Sequence, residues 1–291
     1  MNLDIGFITP ITAQSGNLPE LARTVESLGY DSLWIPEHPV IPYGPKTQYP
    51  FDAELPEHYG RWADPFVSLT IASTVTSKIK LGTGICLLPE REPLITAKVI
   101  ATLDYFSKGR VILGVGAGWL KEETEAMGAN FGQRWKHTRE FVEAMKLVWT
   151  IEDPSYNGEI VKFPRVRSEP KPAQKGGPLC ILGAHGDAAL TRVAKTYDGW
   201  MPIVKDIGEF KTAVASLKKQ VKDNKRNPDA INISPLIDPE GLGSAELKAL
   251  REAGANRLIV FSQKIVEECA DGKAIELAKK YASIVEQARS L

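Results

Sequence analysis

The chain has 291 residues, 43% hydrophobic and 25% charged, which is long enough for a large core and ordinary for a globular enzyme. Its 36 Lys and Arg balance 36 Asp and Glu, so the net charge offers no basis for binding nucleic acid or an anionic membrane surface. No apolar run approaches the roughly 18 residues that cross a bilayer, and the cysteines Cys86, Cys180 and Cys269 are scattered without a C-x-x-C pair. With an amino terminus that enters a strand directly, these features are expected of a soluble cytoplasmic protein with reduced thiols.

Leu3 to Thr9 reads as a buried strand. Asn17 then caps a helix, with Glu20 three residues on, and the helix ends at Gly29. Tyr30 to Pro36 is the second strand, terminating in Glu37-His38-Pro39. The proline- and tyrosine-rich segment 37–63 has no period, and a loop of that length inside a compact domain is usually functional. Asp64-Pro65 opens the next helix as cap and first turn. Ile79 to Ile85 is the third strand, Pro93 starts a helix to about Ser107, and Val111 begins the fourth strand.

Helices are predicted over 122–127 and 134–151, followed by an irregular excursion, 153–177, with a hairpin turn at Tyr156 to Glu159 and helix-excluding prolines. Strand and helix alternate again afterwards: strands at 178–182, 198–202, 231–237 and 257–262, helices at 187–196, 209–224, 245–253 and 273–288. The strands are short, apolar and without polar alternation, as when both faces are buried. Eight such units in series predict a single (β/α)8 TIM barrel with an insertion between the fourth and fifth units.

The most informative stretch is Gly109 to Trp119. Gly114, Gly116 and Gly118 recur at every second position after Val111 to Leu113, and period two puts them on one strand face. Such a face admits another backbone or a flat ligand, or simply packs. The third strand carries its own pair, Gly82 and Gly84. The run is not the dinucleotide fingerprint, since a glycine is missing at its required place.

In this fold the chemistry lies at the carboxyl ends of the strands, where the chain offers His38, Gly84, Ala117 to Trp119, Gly183 to Gly186 and Trp200. The histidines are dispersed, so no metal is expected. No lysine ends a strand to form a Schiff base, and no serine sits in a nucleophile elbow. What remains suits a flat cofactor that carries its own chemistry. Gly183-Ala184-His185-Gly186 before Asp187 reads either as an anion site at a helix start or as plain capping by Asp187.

Together, Trp34-Ile-Pro-Glu-His38, Asp64-Pro65-Phe66, Ile79 to Ile85, Ala101-Thr-Leu-Asp104, Gly109-Arg110, Gly114 to Trp119 and Asp198-Gly-Trp200 resemble the luciferase-like monooxygenase superfamily. Within it, the branch of small bacterial oxidoreductases dependent on the deazaflavin coenzyme F420 is the most similar. The resemblance implies a non-proline cis peptide between Gly84 and Ile85. It implies His38 as the catalytic group at the reactive edge of the ring. It implies a cofactor held by Glu37, Thr83, Gly84, Ile85, Gly116, Ala117, Gly118, Gly183, Ala184, His185 and Gly186. A homodimer and a small-molecule substrate are also implied, with no nucleic-acid or membrane partner. The chain departs from relatives that oxidise a sugar phosphate: they carry a glutamate where Trp119 stands. That suggests a more apolar substrate pocket, walled by Tyr43, Tyr49, Phe51, Trp62 and Trp119. An FMN-dependent monooxygenase using O2 and a flavin-binding barrel without turnover are the competing readings.

Overall fold

The protein is described by a computed structural model covering residues 3–51 and 54–291. Its sheet is built from β1 (Asp4–Ile8), β2 (Ser32–Ile35), β3 (Lys80–Leu87), β4 (Val111–Gly116) and β5 (Leu179–Leu182), all parallel. The next two strands are each split: β6 into Gly199–Trp200 and Ile203–Val204, β7 into Asn232–Ile233 and Leu236–Ile237. The last, β8, is Arg257–Val260.

The register closes the ring. Ile181 of β5 pairs with Gly199 of β6, Gly199 with Asn232 of β7, Leu236 of β7 with Ile259 of β8, and Asp4 of β1 with Arg257 of β8. The eight predicted strands are therefore the eight staves of a closed parallel barrel. The breaks in β6 and β7 fall at Pro202 and Pro235, which have no N–H for the ladder. Their carbonyls still accept, Pro202 from Leu236 N at 2.7 Å and Pro235 from Ile259 N at 2.8 Å, so closure survives the interruption. Because of the first break, β6 runs two residues beyond its predicted end.

The outer layer is α1 (Leu18–Ser27), α2 (Pro65–Val75), α3 (Pro93–Phe106), α4 (Lys121–Ala126), α5 (Arg134–Thr150), α6 (Asp187–Thr196), α7 (Ile207–Asp223), α8 (Ser244–Ala253), α9 (Gln263–Glu268), α10 (Ala274–Lys280) and α11 (Ala282–Arg289). Asn17 Oδ1 accepts from Glu20 N at 3.1 Å, and Asp64 Oδ1 from Phe66 N at 2.8 Å, so both predicted caps form. The closing helix is not continuous: the chain turns through Gly272 at φ +97° and breaks again before Ala282. A side chain at Gly272 would sit 2.7 Å from the Gln14 carbonyl. In the 153–177 excursion, Tyr156–Asn157 pairs with Lys162–Phe163. Glu140 of α5 holds the hairpin tip through the backbone N–H groups of Ile160 and Val161.

The glycines of β3 and β4 prove to be mostly packing devices. Trp34 of β2 is fully buried inside the barrel, where Ile8, Met201, Leu236 and Ile259 surround it. A Cβ at Gly82 would lie 2.3 Å from its ring, and one at Gly6 2.6 Å from its Nε1. One indole fills a layer that otherwise takes several side chains, so both neighbouring strands are reduced to glycine. At Gly114 a Cβ would meet the Thr83 carbonyl oxygen at 2.1 Å, where the register of β3 shifts between Thr83 and Cys86. The Gly84–Ile85 peptide within that shift is cis. Gly114→Ala is expected to destabilise the fold by about 3 kcal/mol, because the obstacle is backbone. A denaturation midpoint equal to that of the parent would refute this account of Gly114.

Candidate active site

β2 delivers Glu37 and His38 to the carboxyl end of the barrel, and both are buried. Glu37 is fully engaged by the protein. Its Oε2 accepts from Leu87 N at 2.7 Å, and its Oε1 takes the guanidinium of Arg91 through Nε at 2.6 Å and through Nη2. Arg91 also pairs with Asp64 at 2.6 Å, the residue that caps α2. The Glu37 carboxylate thus ties β2, β3 and α2 together through three hydrogen bonds, and it stands on the wall of the cavity described below.

His38 is held differently. Its Nδ1 lies 2.6 Å from Oε2 of Glu123 on α4, a carboxyl group with no solvent exposure. Donation to that carboxyl fixes the tautomer, so Nδ1 carries the proton and Nε2 is left to act. Among the described residues Glu123 Oε1 has no partner, and neither does Oε2 of Glu90, whose Oε1 accepts from Thr124 Oγ1 at 3.0 Å. Burial first, and then the neighbouring Glu123 charge, push the Glu90 carboxyl up to about 8. His38, Glu123 and Glu90 form a buried layer stabilised on one side by the Glu37–Arg91 pair.

In front of that layer lies a cavity of about 380 Å³, within the roughly 300–1,000 Å³ range of small-molecule sites. His38, Glu37, Gly84, Ile85, Ala117, Gly118, Gly183, Ala184 and His185 all line it. Its floor is not bare glycine. The Ile85 side chain occupies the space above Gly116 and Gly183, where an added Cβ would lie 2.0 and 2.7 Å from it. Gly116 is therefore covered and does not reach the cavity. Thr83 is also outside, fully buried with its hydroxyl donating to the Gly114 carbonyl at 2.7 Å. Gly186 opens α6 at φ +76° and faces a separate groove beside Asp187 and Trp200.

The opposite wall is aromatic. Phe51, Trp62 and Trp119 line the cavity together with Tyr59 and Phe261. The His38 ring centroid is 5.1 Å from that of Tyr59, 5.3 Å from Trp62 and 5.9 Å from Trp119. Tyr49 stands behind this wall, packed on Phe51 and Trp119. Tyr43 is fully exposed and takes no part, because the loop tip that carries it points to solvent. The segment 37–63 is anchored by Glu122, which accepts from Lys46 N at 2.8 Å and from Thr47 Oγ1 at 2.7 Å. Within the segment, Trp62 Nε1 donates to His58 Nδ1 at 3.2 Å.

Glu90, Arg91, Glu123, Tyr59, Trp135 and Gln263 belong to the site but escape a reading of the sequence. Glu123 had a signal, an acidic pair one helical turn past Trp119, although it reads as an ordinary helix start. Trp135, which lines the cavity, lies under the guanidinium of Arg192 at 4.2 Å and near that of Arg134 at 5.8 Å. Burial, and then the charge of Lys205, lower the pKa of His185 on the same side. Among the described residues no group of three or more His, Cys, Asp or Glu is placed to hold a metal ion, and no helix is long and apolar enough to cross a membrane.

A closed parallel barrel with a cavity at the carboxyl ends of its strands is the TIM-barrel architecture. The chain belongs to the luciferase-like monooxygenase family, whose model matches residues 6–239. Members of this family are oxidoreductases and monooxygenases, with F420-dependent and FMN-dependent examples among the relatives. An uncharacterized protein of Mycobacterium tuberculosis is 40% identical over 200 residues, 67% of this chain and 71% of that protein. The FMNH2-dependent dimethylsulfone monooxygenase of Pseudomonas putida is 28% identical over 54% of this chain and 45% of its own length. Among solved structures, the coenzyme F420-dependent tetrahydromethanopterin reductase of Methanopyrus kandleri superposes with a TM-score of 0.71 at 20% identity. That match covers 97% of this chain and 100% of the reductase.

Proposed function

We propose that the protein is an oxidoreductase that transfers a hydride between coenzyme F420 and a small, largely apolar organic substrate. The observation that carries this reading is the placement of His38 on the wall of an apolar cavity, with Nδ1 fixed by Glu123 and Nε2 uncommitted. Gly84, Ile85, Ala117, Gly118, Gly183, Ala184 and His185 would hold the cofactor, since they line one continuous, mostly apolar side of that cavity. When bound, F420 supplies a two-electron hydride donor or acceptor. The chain's own part is to place the substrate, exclude water with the aromatic wall, and move one proton. In the oxidising direction His38 Nε2 takes the proton of the substrate hydroxyl, forming an imidazolium that Glu123 stabilises through Nδ1; in the reducing direction that imidazolium gives the Nε2 proton to the substrate oxygen.

The cations beside Trp135 and His185, namely Arg134, Arg192 and Lys205, favour F420 over FMN, because the deazaflavin has the longer anionic tail. The second reading, an FMN-dependent monooxygenase using O2, draws support from the Pseudomonas putida relative. Titration of cofactor-free protein with F420 and separately with FMN, followed by quenching of tryptophan fluorescence, distinguishes them. F420 is expected to bind at least tenfold more tightly. The reverse order would transfer the protein to the oxygen-using class, and binding of neither would overturn both readings.

The proposed assembly is a homodimer. Val67 and Ile71, one turn apart on α2, and Ile95, Tyr105 and Phe106 on the adjacent α3 are exposed apolar side chains that a second copy would cover. Sedimentation equilibrium is expected to give twice the chain mass, and the double substitution Val67→Glu with Phe106→Glu is expected to give monomer. A monomeric parent protein would rule the dimer out.

A further inference from the structure

The cavity contains a polar group that hydride transfer does not use. Gln263 is the first residue of α9, directly after β8, and it lines the cavity beside Phe261 and Tyr59. Its Oε1 accepts from the Tyr49 hydroxyl at 2.6 Å and lies 3.4 Å from the Tyr59 hydroxyl, while the two hydroxyls are 2.8 Å apart. Its Nε2 is buried with no hydrogen-bond partner among the described residues. A buried amide N–H without an acceptor is costly, and a native chain that keeps one in a binding cavity has a use for it.

The tyrosines determine which way round the amide stands. Burial raises both phenol pKa values, so both remain O–H donors near neutral pH. With the carbonyl toward Tyr49, Tyr59 donates to Tyr49 and Tyr49 donates to Gln263 Oε1, which leaves only Nε2 free. With the amide reversed, Nε2 would donate to Tyr49 and Tyr49 to Tyr59. Both the Tyr59 O–H and the Gln263 carbonyl would then lack partners. The better satisfied arrangement presents a donor.

Other polar groups on the wall are committed or serve elsewhere. Glu37 is bound by Arg91, and His38 faces Glu123 with one nitrogen and the reacting centre with the other. The Tyr59 ring packs 5.1 Å from His38 while its hydroxyl reaches toward Gln263.

We propose that Gln263 Nε2 is a specificity group that receives a neutral acceptor oxygen, of carbonyl type, on an otherwise apolar substrate. This rests on reading the cavity as a substrate site. The preferred substrate class is then a cyclic or aromatic skeleton with an oxygen function remote from the reacting carbon. Tyr49 and Tyr59 hold the amide in register and do not themselves select.

The test uses a matched pair of probes, 1-tetralone and tetralin, which differ in one carbonyl oxygen. Their binding to the full-length protein is followed by quenching of Trp62 and Trp119. The parent protein is expected to prefer tetralone by about tenfold. In Gln263→Met that preference is expected to collapse, with tetralin affinity retained as the control for an intact cavity. In His38→Ala the preference is expected to remain, which assigns it to Gln263. Gln263→Leu repeats the comparison in case the Met side chain itself fills the cavity. Equal affinities in the parent, or a preference that persists in both Gln263 variants, would overturn the proposal. F420 titration of the same variants is independent. Loss of cofactor binding in the parent with the tetralone preference intact would refute the cofactor reading and not this one.

Discussion

His38→Ala is expected to lower turnover by about 10²–10⁴-fold while F420 affinity stays within a few-fold of the parent. The separation follows from geometry. The side of the cavity proposed to hold the cofactor is built from Gly84 and Ile85 of β3 and from the turns that follow β4 and β5, whereas His38 enters from the end of β2 with Nδ1 already bound at 2.6 Å to Glu123. Removing the imidazole deletes the proton-handling group without touching that side. Glu123→Gln keeps an acceptor for Nδ1 but removes the charge that stabilises an imidazolium, so its turnover should fall between the two. Stopped-flow measurement of F420 absorbance under anaerobic conditions, on ketones or alcohols that the parent converts, supplies the rates. Unchanged turnover in His38→Ala would remove its catalytic role, whereas firm cofactor binding by a parent protein that converts no substrate would favour a carrier over an enzyme.

Glu90→Gln is expected to make the protein more stable above pH 8 and to leave it nearly unchanged near pH 4.5. In the folded chain this carboxyl keeps its proton up to about 8, against an ordinary value of 4.5. Between those values the native state binds more protons than the unfolded chain. The contribution of Glu90 is thus fully present below pH 4.5 and is lost as pH rises through about 8. The loss is on the order of 5 kcal/mol. Glutamine can still accept from Thr124 Oγ1 and has no ionisation to suppress. The groups that face Glu90 are Glu123, Glu37 and Arg91, so the buried layer loses one potential negative charge and no cation. Urea unfolding at pH values from 4.5 to 9 should show the gap between variant and parent widening with pH. A gap that is constant with pH would mean that Glu90 ionises normally in the fold.

The barrel was legible because its signals are local. Short apolar strands, the Asp64-Pro65 helix start and Gly254 after α8 each state a backbone conformation within a few residues. The position of His38 was legible because a residue just past the end of a parallel strand stands at the mouth of the barrel. The groups that control it were not. Glu123 lies 85 residues from His38 in sequence, and Glu90 and Arg91 come from the end of β3, so their meeting is a property of barrel closure. The glycines were legible as sites of close approach, but not as to what approaches. For Gly82 it is Trp34, for Gly114 the Thr83 carbonyl, and for Gly116 and Gly183 the Ile85 side chain. Tyr43 and Tyr49 look alike in a tyrosine-rich loop, and only their packing separates an exposed tip from a buried support.

The 153–177 excursion is fastened at the opposite end of the strands. Gln174 Nε2 donates to Asp104 Oδ1 at 2.7 Å and to the carbonyl of Val111, the first residue of β4, at 2.8 Å. Lys175 and Gly176 at its tip are exposed. The three native cysteines are buried, and burial pushes the Cys180 and Cys269 thiols up to about 12, far from the reactive thiolate form. Lys175→Cys therefore creates a single addressable handle: a maleimide dye or surface linker attached there sits on the reverse of the barrel, leaving the mouth facing the solution.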